Sequence, residues 1–301
     1  MKKKTYLFAL MAMALTLGSC SDNENGIGGE TSKYITVSTS IGNMTRVATD
    51  ANGGQTFEEG DEISVYAWTG DATVAPETSE RVVNNAINKL TNGSWVSTPQ
   101  MLWKNNRDKH YFIGVYPTAA ISDLSAGEYT FDANKQTESD LLVAVNKDGL
   151  SYNVDEQQPV PLTFTHVMAK LVVNLTYKNQ WGTEGPTVDK VVVGNAAKKA
   201  TVNYLTKVVT PSTTAKEDFS LPEITENTKY VSVIIPQEDV KQLTIVIGGK
   251  NFVYDNGTPF KLESGKITTV NLEVGRDEIK LGDVKITDWE DGSTFSGEAL
   301  N

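Results

Sequence analysis

The sequence predicts an all-β protein of the β-sandwich class, and three observations predict it. Apolar residues recur at every second position in many short segments, the pattern of strands whose side chains alternate between a core and solvent. Clusters of Gly, Asn, Asp and Pro separate these segments, supplying the backbone conformations that turns require. From Pro161 onward no segment sustains the 3.6-residue period of an amphipathic helix. Short strands at regular spacing, punctuated by turns, argue for sandwiches.

The chain opens on an export signal rather than on structure. Lys2, Lys3 and Lys4 precede an uncharged apolar stretch from Tyr6 to Leu17, too short for a membrane-spanning helix, which needs about 20 residues. Such a segment is a removable signal peptide, here residues 1–19. It ends in Leu17-Gly18-Ser19-Cys20, which resembles the lipobox of bacterial lipoproteins, where the cysteine is acylated and becomes the mature N-terminus. Cys20 is the only cysteine, so an intramolecular disulfide and a Cys-ligated zinc site are excluded. Ser21 to Ser32 is polar, acidic and Gly-bearing, a flexible tether by composition.

The elements follow in order. Lys33 to Ile41 alternates, with Ile35, Val37, Thr39 and Ile41 on one side. A second polar stretch from Gly42 to Gln55 carries Arg46, one of four arginines with Arg81, Arg107 and Arg276. Glu62 to Trp68, Tyr111 to Tyr116 and Leu141 to Val145 read as strands, while residues 79–90 have the spacing of one or two helical turns. One long strand is expected from Leu162 to Tyr177, with Val167, Ala169, Leu171, Val173 and Leu175 sharing a face. Val188 to Val193, Tyr230 to Ile235, Leu243 to Ile247, Phe252 to Tyr254 and Ile267 to Val274 complete the set. His110 to Pro117 echoes Lys229 to Pro236 as basic, Tyr, apolar, two variable, two apolar, Pro, which favours two similar sandwiches in tandem. The division is expected near residues 155–162.

Composition narrows the chemistry. The formal net charge is −11, and losing Lys2, Lys3 and Lys4 with the signal takes it to −14. A chain this acidic repels phosphate backbones, so nucleic acid is not an expected partner. No nucleophile elbow, HExxH motif or phosphate-binding glycine loop occurs. His110 and His166 are the two histidines, far apart and flanked by strand residues, which suits structural roles better than catalysis. Glu58-Glu59-Gly60-Asp61-Glu62 lacks the spaced ligands of a calcium loop and reads as an acidic turn. Trp68, Trp95, Trp103 and Trp181 are candidates for glycan stacking or for core packing. No enzyme activity and no cofactor are expected.

Several stretches, in order, resemble the fimbrillin family of type V pilus subunit precursors. They are the lipobox, the early strand ending near Thr45-Arg46, Phe57-Glu58-Glu59-Gly60-Asp61-Glu62-Ile63 running into Val65-Tyr66-Ala67, and Tyr111-Phe112 with Tyr116-Pro117. Ser139 to Ala144 and Phe164 to Leu171 continue the series. The resemblance implies two tandem transthyretin-like, Greek-key sandwiches over 47–160 and 161–301, behind a lipidated leader of residues 20–46. It also implies a lipid anchor to the outer membrane, surface exposure, and cutting by an arginine-specific surface protease. That cut removes the first strand, whose groove a neighbouring pilin subunit then fills, and the resulting fimbria serves adhesion. The polar tail from Asp291 to Asn301 departs from the family's shaft subunits.

Residues supply candidates for each step. Arg46 and Val47 flank the expected cut, because a protease needs an exposed, extended segment. Ile35, Val37 and Ile41 are the apolar side of the removable strand. At ~1.5–3 kcal/mol each they contribute roughly 5–9 kcal/mol of burial, comparable to the stability of a typical domain. Leu281, Val284 and Ile286 are the candidate plugs of a C-terminal donor strand, although its alternation breaks at Gly282-Asp283. The alternative is a surface lipoprotein that never polymerises and binds host glycans or host proteins through aromatic side chains.

Overall fold

The computed structural model describes residues 33–42, 56–153, 158–183 and 185–289. The signal peptide, Cys20, Arg46, Val47 and the tail from Asp291 lie outside them. Among the described residues strands account for 54% and helices for 3%, so the fold is all-β, in several sheets, as the alternation predicts.

Eight strands fall in the first part: β1 (Val37–Ile41), β2 (Glu62–Thr69), β3 (Val83–Thr91), β4 (Ser94–Thr98), β5 (His110–Tyr116), β6 (Gly127–Thr130), β7 (Leu142–Leu150) and β8 (Val160–His166). All but β6 form one seven-stranded sheet in the order β1-β8-β7-β5-β2-β3-β4. The ends of this sheet meet: past β4, Leu102 bridges Tyr34, just before β1. The interior strand β2 is buried on both faces. Along β2, Ile63, Val65 and Ala67 face one apolar cluster, shared with β1, β5 and β8. Tyr66 and Trp68 face the other, which extends through the rest of the molecule.

The remaining strands are β9 (Ala169–Tyr177), β10 (Lys190–Ala197), β11 (Lys199–Asn203), β12 (Val208–Pro211), β13 (Lys216–Ser220), β14 (Glu223–Thr225), β15 (Lys229–Ile234), β16 (Gln242–Ile247), β17 (Lys250–Asp255), β18 (Lys266–Val274) and β19 (Ile279–Asp288). They make a five-stranded sheet, β14-β15-β9-β18-β19, and a four-stranded sheet, β13-β10-β16-β17. Leu171 and Val173 of one sheet and Val191 and Ile245 of the other belong to a single cluster. A small sheet, β12-β11-β6, pairs β6 from the first part with β11 from the second. The described residues from Lys33 on form one compact unit.

Two expectations are corrected. Residues 83–91 are strand, not helix; a single short 3₁₀ turn covers Thr78–Glu80. The register between β2 and β3 jumps between Val65↔Ala86 and Ala67↔Val83, so β3 holds one extra residue, and Asn85 takes a positive φ of 56° there. A bulge shifts the period-two phase by one, which gives Val83, Ala86 and Leu90 the spacing of a helix face. The expected strand from Leu162 to Tyr177 is two strands, β8 and β9, broken at Val167-Met168. Both of those residues are buried in the shared core. A continuous alternating pattern thus hides a change of sheet, and β8 hydrogen-bonds into the sheet of the first part.

Candidate functional site

The first strand lies at a sheet edge, and its burial follows its alternation. Ile35, Val37 and Ile41 are 2%, 6% and 8% exposed, while Tyr34, Thr36 and Ser38 point outward. Strand β1 runs parallel to β8, with Val37 opposite Val160 and Ile41 opposite Phe164. The amide of Val160 donates to the carbonyl of Thr36 at 2.8 Å, and that of Gly42 to Phe164 at 2.8 Å. On the other side Ile35 donates to the carbonyl of Met101 at 2.9 Å, and Trp103 to that of Lys33 at 3.1 Å. The segment is thus held first by residues 101–103, through Lys33 and Ile35, and then by β8, through residues 36–42. Thr39, the polar member of the inward row, accepts the indole N–H of Trp95 at 3.0 Å. Phe57 packs edge-on against Trp95, Tyr116 and Phe164 beside it.

The C-terminal candidate is the outer strand of the five-stranded sheet. Leu281, Val284 and Ile286 of β19 stand opposite Leu272, Val270 and Thr268 of β18, on the core side. The break at Gly282-Asp283 is a bulge: Asp283 pairs with Asn271 and Leu281 with Leu272, leaving Gly282 extra. The bulge keeps the three apolar side chains on one face despite the broken alternation. They are nevertheless 38%, 38% and 40% exposed. The structure does not bring β19 and β1 together, since they belong to different sheets.

The other singled-out residues are engaged locally. His110 is fully buried, its Nε2 accepting from the Lys104 amide at 3.1 Å and its Nδ1 3.0 Å from the Asp108 carbonyl. Burial holds its pKa below the usual imidazole value, favouring the neutral ring. His166 Nδ1 lies 2.9 Å from an Asp140 carboxylate oxygen. The acidic run is a turn tied to the β3–β4 hairpin. Glu59 accepts from the Asn92 amide at 2.7 Å, and Glu62 pairs with Lys89 at 3.0 Å. Burial, with Asp61 and Asp140 nearby, pushes the neighbouring Tyr116 up to about 12. Of the four tryptophans, Trp68 and Trp103 border one cavity, and Trp95 and Trp181 lie elsewhere. Trp68 is 2% exposed, Trp103 packs on His110 and Phe112, and Trp181 packs on Phe252 and donates to the Val274 carbonyl at 3.1 Å.

The arginines differ in the same way. Arg81 is 9% exposed, and its guanidinium donates to the carbonyls of Ile121 at 2.6 Å and Ser122 at 2.5 Å. Arg107 sits in a tight turn with its amide bonded to the Asn105 side chain at 2.9 Å. Arg276 lies over Trp181, 5.5 Å from the ring centroid. Sequence reasoning missed Trp289, whose ring stacks on His166 at 3.9 Å. Its signal was faint: a single aromatic residue closing the last apolar segment.

Fold and site together define an all-β protein of the sandwich type, with its histidines and tryptophans engaged in packing. The chain belongs to the Fimbrillin-like family, which it matches over residues 45–289. Fim1C of Bacteroides uniformis, proposed as a fimbrium subunit, is 25% identical over 316 residues, 97% of each chain. A solved protein of Bacteroides ovatus, proposed to act in cell adhesion, aligns with a TM-score of 0.64 at 18% identity, covering 85% of this chain and 98% of its own. A fimbrial protein of Bacteroides vulgatus aligns with a TM-score of 0.52 at 13% identity, covering 84% and 99%. At these identities the two solved structures speak to the fold alone.

Proposed function

We propose that this chain is a structural subunit of a surface fimbria, assembled with other pilin subunits by strand exchange and serving adhesion. In this reading it is exported as a lipoprotein acylated on Cys20, anchored in the outer membrane, and cut between Arg46 and Val47 by an arginine-specific protease. The cut frees residues 20–46 with β1, and a neighbour's strand takes the vacated slot. We propose that the division between the two sandwiches, expected near residues 155–162, falls instead at Val167-Met168, after β8 has joined the sheet of the first part.

The observation that carries the reading is the slot itself. The first strand buries Ile35, Val37 and Ile41 yet is joined to the rest of the protein through the segment that holds Arg46. Its loss would expose an apolar groove along the unpaired edge of β8, a surface that recruits another strand. Strand β19 matches the requirement in its number of apolar positions, and must keep the bulge at Gly282 to turn all of them toward the slot, whose pairing with β8 is unbroken. Ile279, Leu281, Val284 and Ile286 give four apolar positions on one face, as Ile35, Val37, Thr39 and Ile41 give four inward positions.

The N-terminal sequence of the protein recovered from cells tests the proposal. A chain beginning at Val47 in the polymer supports it. A chain found with acylated Cys20 alone overturns it in favour of a static lipoprotein that binds glycans or proteins, as do high-mass polymers formed by an Arg46→Ala variant. Cys20→Ser should abolish fatty-acid labelling.

A further inference from the structure

The C-terminal strand is fastened at its far end by an aromatic side chain, beside an ion pair between Asp288 and Lys266. Trp289, the residue after β19, lies parallel to the His166 imidazole, with 3.9 Å between centroids and 6° between planes. The Lys170 ammonium sits over the same indole, 4.8 Å from its centroid. The Trp289 amide donates to the Gly265 carbonyl at 2.9 Å. The socket that receives the ring is built from three places in the chain. They are the last residue of β8, the second residue of β9 and the turn before β18.

Each wall of the socket is fixed. An Asp140 carboxylate oxygen lies 2.9 Å from His166 Nδ1, a contact that sets the plane of the imidazole. Gly265 donates to the Met168 carbonyl at 2.9 Å and has a φ of +66°. A Cβ there would come within 3.2 Å of the His166 carbonyl. Ser264 donates to the Val167 carbonyl at 2.8 Å. The socket thus stands on Val167-Met168, where the chain crosses between sheets.

We propose that this socket is a docking site for the indole of Trp289, and that the clamp sets when β19 becomes available to a neighbouring subunit. The inference rests on reading β19 as the donor strand. At the other end β19 is tied to β18 by the short turn in which Gly275 donates to the Glu278 carbonyl at 2.8 Å. Between the ends, Leu281, Val284 and Ile286 are all more than a third exposed. A hairpin strand closed by a turn at one end opens from the other, and that end is Trp289. Stacking and cation–π contact are strongest where water is excluded, and Lys170 is only 2% exposed. Withdrawal of the indole is therefore the first step in freeing the strand, before the β18–β19 ladder opens.

Amide hydrogen exchange of the full chain tests this. In Trp289→Ala the amides of residues 280–288 should lose protection by about tenfold or more, while those of β5 keep theirs. Trp289→Phe, which retains a stacking ring, should hold most of the protection. Unchanged protection of β19 in Trp289→Ala overturns the clamp. Should Trp289→Ala lose protection everywhere, Lys170→Met decides: selective loss along β19 supports the clamp, and none overturns it. Polymer formation on cells separates the two layers. Faster assembly with the clamp opened supports both. Deprotection of β19 with unchanged assembly leaves the clamp standing and overturns β19 as donor.

Discussion

Lys170 is almost wholly buried, and burial depresses its pKa to about 8, against the pull of Asp140. A free lysine titrates near ~10.4, so between those values the unfolded chain binds a proton that the folded chain does not. The contribution of Lys170 to stability should then be flat below pH ~8 and rise with pH above it. Above pH ~10 the trend reverses, because burial raises Tyr204 and Tyr116 to about 12 and the unfolded tyrosines ionise first. Urea unfolding at about pH 7.5 and about pH 9 checks this, and Lys170→Met should remove most of the rise. Gly114 makes a second test at this scale. A Cβ on it would meet the Phe164 ring at 2.6 Å and Leu162 at 3.1 Å. Both are packed core side chains, so Gly114→Ala should cost about 1–3 kcal/mol in a denaturation midpoint.

Among elements, β1 and β19 invite different substitutions. Ile35 is 2% exposed in the slot, and Ile35→Ala should cost about 2–5 kcal/mol in the chain that retains its leader. The same substitution should change nothing after cleavage at Arg46, when the residue has left. A comparison of urea midpoints before and after the cut reads the difference, and an equal effect in both forms would count against release of the strand. In β19 the residue to delete is Gly282. Without it Ile279, Leu281, Val284 and Ile286 alternate without interruption, so the pairing with β18 can continue without a bulge. The deletion should leave stability within about 1 kcal/mol of the parent. Gly282→Val keeps the bulge and brings a Cβ within 3.2 Å of the Asn271 carbonyl, and should be the more harmful change by thermal unfolding.

At the scale of the molecule, one apolar cluster runs through both parts. Tyr66, Trp68 and Val143 share it with Leu171, Val191 and Ile245. The β6–β11 pairing crosses between the parts as well, from Gly127–Thr130 to Lys199–Val202. Neither part can be withdrawn without exposing large side chains of the other. The chain should therefore unfold in a single transition, with tryptophan fluorescence and far-ultraviolet circular dichroism coincident. Residues 168–301 expressed alone should not show a cooperative transition. Two separate transitions would mean that the shared cluster contributes little.

Sequence by itself determined the class of the fold and most of its strands, because a half-buried strand writes its period of two directly into the chain. The inward row of Ile35, Val37 and Ile41 and the apolar β18 were legible for that reason. Where the backbone bulges, as at Asn85 and Gly282, the written period shifts by one residue. The strand β3 then looked helical and β19 looked interrupted. Short strands such as β4, β6 and β12 carry too few residues to show a period at all. Only the tertiary structure decided which strands are partners. The parallel pairing of β1 with β8 joins residues more than a hundred positions apart, and nothing local specifies it. The same holds for Trp289, whose partners His166, Lys170 and Gly265 are brought together by the change of sheet at Val167-Met168. Periodicity is a property of neighbours along the chain, whereas an edge, a slot or a socket exists only once distant segments have packed.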